Sequence, residues 1–157
     1  VVLTTINEKI PISRWVVFRK LTPEQNFLIF TDFRSEKIKN LKKNSNCGLL
    51  FYNNKQGLQI YFNTKSTIHQ NNKLTKKYWH GIVGSSSGNY TTIYPPSSPI
   101  NNINEGHKTN KDLNDKYFSI LELCPINMSI LQLSRDGHIR ATFNKINSEW
   151  EGSFIVP

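Results

Sequence analysis

The chain opens on residues 1–7, Val-Val-Leu-Thr-Thr-Ile-Asn, a run of apolar and β-branched positions. The same character resumes at 12–19, Ile-Ser-Arg-Trp-Val-Val-Phe-Arg, after the turn-like Asn-Glu-Lys-Ile-Pro, so these runs predict a hairpin. Leu-Thr-Pro-Glu-Gln-Asn carries the next turn, and 27–33 reads as a third antiparallel strand. Ser35 is placed to cap a short helix over 35–44, with Ile38 and Leu41 on one face and Glu36 near the positive helix end. The apolar run 47–52, the turn Asn-Asn-Lys-Gln-Gly and a longer strand over 58–68 predict a second hairpin, with Leu58, Ile60 and Phe62 sharing a face. Residues 71–80 suit a second short helix with Leu74 and Tyr78 on one side.

From 81 to 114 the pattern gives way to Gly, Ser, Pro and Asn, which predicts a long flexible loop, functional or disordered. Strand character returns in Tyr-Phe-Ser-Ile-Leu-Glu-Leu, Met-Ser-Ile-Leu-Gln-Leu-Ser, His-Ile-Arg-Ala-Thr-Phe and the closing Glu-Trp-Glu-Gly-Ser-Phe-Ile-Val-Pro, separated by Cys-Pro-Ile-Asn, Arg-Asp-Gly and Lys-Ile-Asn-Ser. Strands outnumber helices about three to one, and their short spacing favours a mainly β fold, a barrel with a few short helices, over a parallel α/β sheet. With 157 residues and 37% hydrophobic content, a single domain over 1–157 is expected.

No apolar run approaches the roughly 18 residues of a membrane span, so a soluble, cytoplasmic protein is expected. The chain begins inside a strand-like run without an initiator Met, and an N-terminal segment is expected to be missing. The two cysteines, Cys47 and Cys124, sit in apolar contexts without Cys or His at ligand spacing, which points to two reduced thiols and no metal site. The net charge of +9 favours an anionic partner, either a phosphorylated cofactor or nucleic acid. A nucleic-acid face would need a stacking platform from Phe51, Tyr52, Tyr61 and Phe62. Adjacent strand residues point to opposite faces, which disfavours that reading.

The residues then meet a pattern. Ser-Arg-Trp-Val-Val-Phe-Arg at 13–19, the aromatic-Thr pair Phe30-Thr31 ahead of Ser35-x-Lys37, Gln59 in Gly-Leu-Gln-Ile-Tyr-Phe, and His138-x-Arg140-x-x-Phe near the end resemble, in order and separation, the pyridoxamine 5′-phosphate oxidase family. The resemblance spans nearly the whole chain apart from the loop. It implies an FMN-binding split barrel, an FMN-dependent oxidoreductase activity, and a homodimer holding FMN at the subunit interface.

It also implies a site. Arg14 and Lys37 would grip the FMN phosphate, with Ser35 adding a hydroxyl at a helix N-terminus. The backbone of Trp15, Val16 and Val17 would read the pyrimidine edge of the ring. Phe30, Thr31 and Gln59 would line it, and Arg19, where the oxidases usually have Lys, would stabilise a reduced flavin. Arg140 would reach the flavin held mainly by the other subunit. Tyr78 and His138 are the catalytic candidates. Trp15, Trp79 and Trp150 read as core or interface residues.

Two departures bear on the substrate. Ile82 stands where the oxidases have an Arg for the substrate phosphate, and Asp136 stands at a second such position unless Arg135 substitutes. An Ile cannot replace a charge-assisted clamp and an Asp repels a dianion, so vitamin B6 oxidation is disfavoured. An oxidoreductase with an unidentified small-molecule substrate, a flavin-binding protein without turnover and, third, a basic nucleic-acid-binding barrel remain.

Overall fold

The computed structural model describes residues 1–84, 86–110 and 114–157, so residues 85 and 111–113 of the expected loop lie outside it. Strands β1 (Val2–Asn7) and β2 (Ile10–Trp15) form the expected hairpin, with Val2 opposite Trp15 and Leu3 opposite Arg14. The expected unbroken strand over 12–19 is corrected. It ends at Trp15, and β3 (Phe18–Leu21) pairs instead with β4 (Phe27–Asp32). The reason lies in the sheet order, β2-β1-β5-β6-β7-β4-β3, which puts β2 and β3 at opposite ends. The chain bends at Val16 and Val17 to pass from one edge to the other, and the sheet curls around that seam.

Helix α1 (Glu36–Lys43) follows β4, and β5 (Asn46–Asn53) and β6 (Leu58–Gln70) form the second expected hairpin. Helix α2 (Lys73–Ile82) starts after an Asn72 cap and runs two residues beyond the expected end at His80. The following segment carries two 3₁₀ turns, Ser87–Tyr90 and Ile103–His107, and a bridge between Thr92 and Thr109.

The two strands expected on either side of Cys-Pro-Ile-Asn are one strand, β7 (Phe118–Gln132). Pairing with β6 passes from Asn63 opposite Asn127 to Thr64 opposite Pro125, which leaves Ile126 as a bulged residue. Pro125 has no N–H to give the ladder, and a bulge is where a strand tolerates that loss. The first part of β7 pairs with β4 and the last part with β8 (Ile139–Ile146), to which β9 (Glu149–Ile155) adds the final hairpin.

Alternation along β4 and β7 divides the interior in two. Phe27, Ile29, Leu121 and Leu123 face inward with Leu3, Leu49 and the α1 residues Ile38 and Leu41. Leu28, Phe118 and Ile120 face outward, where Trp79 of α2 and Tyr90 of the first 3₁₀ turn cover them. The four aromatics weighed as a stacking platform separate by the same rule: Phe51 and Phe62 pack on the inner core, while Tyr52 and Tyr61 lie on the other face. No described helix is long and apolar enough to cross a membrane.

Candidate functional site

The inward face of the β1–β2 hairpin ends in polar groups beside α1. Arg14 Nη1 donates to Thr5 Oγ1 at 2.6 Å, and Asn40 Nδ2 of α1 donates to the same oxygen at 3.1 Å. Next to them Lys37 Nζ donates to Thr31 Oγ1 at 3.0 Å, and Thr31 Oγ1 lies 3.4 Å from Ser35 Oγ. Ser35 caps α1 by position only, for its side chain makes no capping hydrogen bond although it is buried. Two cations, three hydroxyls and a helix N-terminus therefore converge.

Electrostatics sharpen this cluster. Burial lowers the pKa of Arg14, opposed by the charge of Glu36. Burial, then the charge of Arg14, lowers that of Lys37, opposed by Asp32. Neither cation has an ion pair among the described residues, because Asp32 is held by Arg34 at 2.7 Å. Half-buried, mutually repelling cations are the condition that a bound dianion relieves.

Phe30 points to the opposite side of β4 from Thr31. It packs on Tyr78 of α2 with ring centres 5.2 Å apart, and Arg19 lies over it at 5.6 Å. Arg19 owes its aim to a register shift, since Phe18 opposes Ile29 while Lys20 opposes Leu28 and Arg19 is left between them. Lys20 and Lys77 each lie 6.0 Å from the Tyr78 ring centre.

A third group occupies the outer sheet face. Gln59 opposes Leu131, which opposes Arg140, so all three stand in one row with Tyr52. Arg140 Nε donates to Ser129 Oγ at 3.4 Å. Trp15 is 79% exposed and heads the neighbouring row through Val2, Leu50 and Tyr61. His138 is exposed on the β7–β8 turn, where its Nδ1 accepts from the Ser134 amide at 3.2 Å.

Residues 1–103 match the family described as pyridoxamine 5′-phosphate oxidase. The chain belongs to that family. Its structure is similar to a pyridoxamine 5′-phosphate oxidase-related, FMN-binding protein from Nostoc punctiforme, with a TM-score of 0.86 at 18% identity over 99% of this chain and 87% of the other. It is also similar to PhzG from Burkholderia lata in complex with tetrahydrophenazine-1-carboxylic acid, with a TM-score of 0.78 at 17% identity over 99% and 80%. General Stress Protein 26 from Bacillus anthracis aligns with a TM-score of 0.54 at 18% identity, over 84% and 87%. No curated protein matches the sequence. The fold is the family's split barrel, mainly β with a few short helices.

Within this family fold the expected site residues form three groups and not one. Arg14, Thr31, Ser35 and Lys37 come together at α1, and Arg19, Phe30 and Tyr78 come together beside α2. Gln59, Arg140 and Trp15 lie on the outer face, and no hydrogen bond joins His138 to Tyr78 among the described residues. Of the backbone expected to read a ring edge, Val16 has both groups taken: its N–H donates to Val1 O at 2.9 Å and its carbonyl accepts from Val1 N at 3.3 Å. Val17 stands outside the strands and is exposed. Ile82 packs against the outer core, and Asp136 is exposed on the turn with His138. Trp79 is buried, while Trp150 packs on Phe62 at 6.4 Å and donates to Gln25.

Thr5 and Asn40 belong to the α1 cluster without having been expected there. Each carried a signal: Thr5 interrupts the inward series after Leu3, and Asn40 is a polar residue adjoining the buried face of an amphipathic helix.

Proposed function

We propose that this chain binds FMN and acts as an oxidoreductase on a small molecule, as a homodimer. The observation that carries the reading is the pair Arg14 and Lys37, half-buried and without ion pairs among the described residues, at the helix N-terminus where the Ser35 hydroxyl makes no cap. These groups fit a phosphate dianion, and a helix N-terminus adds backbone donors.

When bound, FMN supplies a ring that accepts and returns electrons. Arg14, Lys37 and Ser35 hold its phosphate, and Thr31 orients the Lys37 ammonium. Arg19 places positive charge beside the ring, anchored over Phe30. Tyr78 offers a hydroxyl for positioning substrate or moving a proton. Gln59, Trp15 and Arg140 lie apart from the α1 cluster, and a second copy of the chain is the means by which this reading brings Arg140 to a flavin. Exposed apolar side chains support such a partner, with Trp15 at 79%, Phe154 at 81% and Val156 at 89%. The FMN-binding relative from Nostoc punctiforme and the PhzG complex with a small carboxylic acid support cofactor and substrate class in turn.

Vitamin B6 is disfavoured as substrate, since Ile82 packs in a core and Asp136 is anionic. The test is titration with FMN followed by anaerobic addition of NADH, NADPH or pyridoxamine phosphate. Flavin absorbance at one FMN per subunit, bleached by a reductant, is expected. FMN binding without bleaching by any of them leaves a flavin carrier, and salt-sensitive oligonucleotide binding without FMN binding overturns the reading.

A further inference from the structure

A cavity of about 580 Å³ lies between α1 and the loop 95–99, within the range of small-ligand sites. One wall is a single helical face, Glu36, Lys39, Asn40 and Lys43, spaced by three and four. The other wall is Pro95, Pro96 and Pro99. Arg34 fixes the approach to that second wall: it pairs with Asp32 at 2.7 Å, stacks 3.7 Å over Tyr117, and donates to the carbonyls of Thr92 at 2.8 Å and Ile93 at 3.1 Å.

The cavity adjoins the Arg14 and Lys37 cluster. Asn40 lines it and also donates to Thr5, the acceptor of Arg14. Glu36 lines it and also acts on Arg14 by its charge. Glu36 and Asn40 are thus shared between the cavity and the cluster, while Arg14 and Lys37 stand outside its lining.

The lining has the chemistry of a nucleotide site. Lys39 and Lys43 are exposed ammonium groups suited to phosphate, and a carboxylate such as Glu36 accepts from ribose hydroxyls. The proline rings offer apolar faces to a base, with the amide of Asn7 to meet its edge. We propose that this cavity binds an adenine nucleotide, either as the adenylate half of FAD continuing from the phosphate held by Arg14 and Lys37, or free. The first form rests on the flavin reading above; the second does not.

The test titrates the native protein and the Lys39→Ala/Lys43→Ala variant with FMN, FAD and AMP, following flavin fluorescence and binding heat. Both lysines are exposed, and unfolding curves check that the variant folds. FAD binding at least tenfold tighter than FMN, reduced to the FMN level by the variant with FMN unchanged, establishes the dinucleotide form. AMP binding that the variant abolishes, with no such preference for FAD, establishes the free nucleotide. If neither flavin binds and AMP does, the flavin reading fails while the nucleotide site stands. FAD no tighter than FMN together with no AMP binding overturns the proposal, as does a preference for FAD or an AMP affinity that the variant leaves intact.

Discussion

Lys37 donates to Thr31 Oγ1 at 3.0 Å and has no ion pair among the described residues, and its burial, followed by the like charge of Arg14, disfavours its charged form. Its folded pKa is lowered, so between that lowered value and the ordinary lysine value the unfolded chain binds more protons than the folded one. Stability in the absence of ligand therefore rises with pH through that window, and below it the full cost of the buried charge remains. Lys37→Met removes the rise and stabilises the ligand-free protein by about 1 kcal/mol, read from denaturant unfolding at several pH values. Loss of stability at neutral pH in that variant contradicts the assignment of Lys37 as an uncompensated cation.

The thiols differ in the same terms. Burial pushes the Cys47 thiol up, opposed by its hydrogen bond with Thr64, whereas Cys124 is exposed. A thiol–disulfide reagent at mildly alkaline pH modifies one thiol in the native protein and both after unfolding. Mass spectrometry places the native modification at Cys124, and rapid labelling of Cys47 contradicts the packing described.

Asn72 ties α2 to the sheet. Its Oδ1 accepts from the Thr75 amide at 3.0 Å, and its Nδ2 lies 3.1 Å from His69 Nδ1, whose Nε2 meets Glu122 at 2.8 Å. Since Oδ1 is committed to the cap, Nδ2 is the donor and the neutral ring carries its proton toward Glu122. Asn72→Ala loses both roles and costs about 1–2 kcal/mol in thermal unfolding; Asn72→Ser keeps a cap and costs less. Equal losses in the two variants contradict the capping role.

Gly152 stands where β9 passes β8. A Cβ there meets the Thr142 carbonyl oxygen and the Phe143 ring, and the backbone oxygen cannot swing away. Gly152→Ala costs about 1–3 kcal/mol and raises amide exchange along β8 and β9. An unchanged exchange pattern contradicts that close approach.

Much of this fold was legible in its strand runs, because residues 1–7 and 58–68 each bury one face, while 27–33 is a short apolar run buried on both. The break between Trp15 and Phe18 was not, since every residue there is apolar or basic and only the position of the two sheet edges demands a bend. Pro125 read as a turn because its missing N–H usually ends pairing, and the bulge at Ile126 is a property of the paired strand. Arg14, Ser35 and Lys37 were legible through order along the chain. Thr5 and Asn40 each broke an apolar face, but their pairing was not legible, for what joins them is a contact across 35 positions of sequence.

The central claim is that Arg14 and Lys37 grip a flavin phosphate, and the direct measurement is the affinity of the native, Arg14→Ala and Lys37→Ala proteins for FMN and for riboflavin. Removing one charge-assisted contact costs about 1.5–3 kcal/mol, so each variant is expected to lose roughly ten- to a hundredfold in FMN affinity while riboflavin binding stays nearly unchanged. Equal losses for both ligands, or native binding that does not distinguish FMN from riboflavin, contradict it.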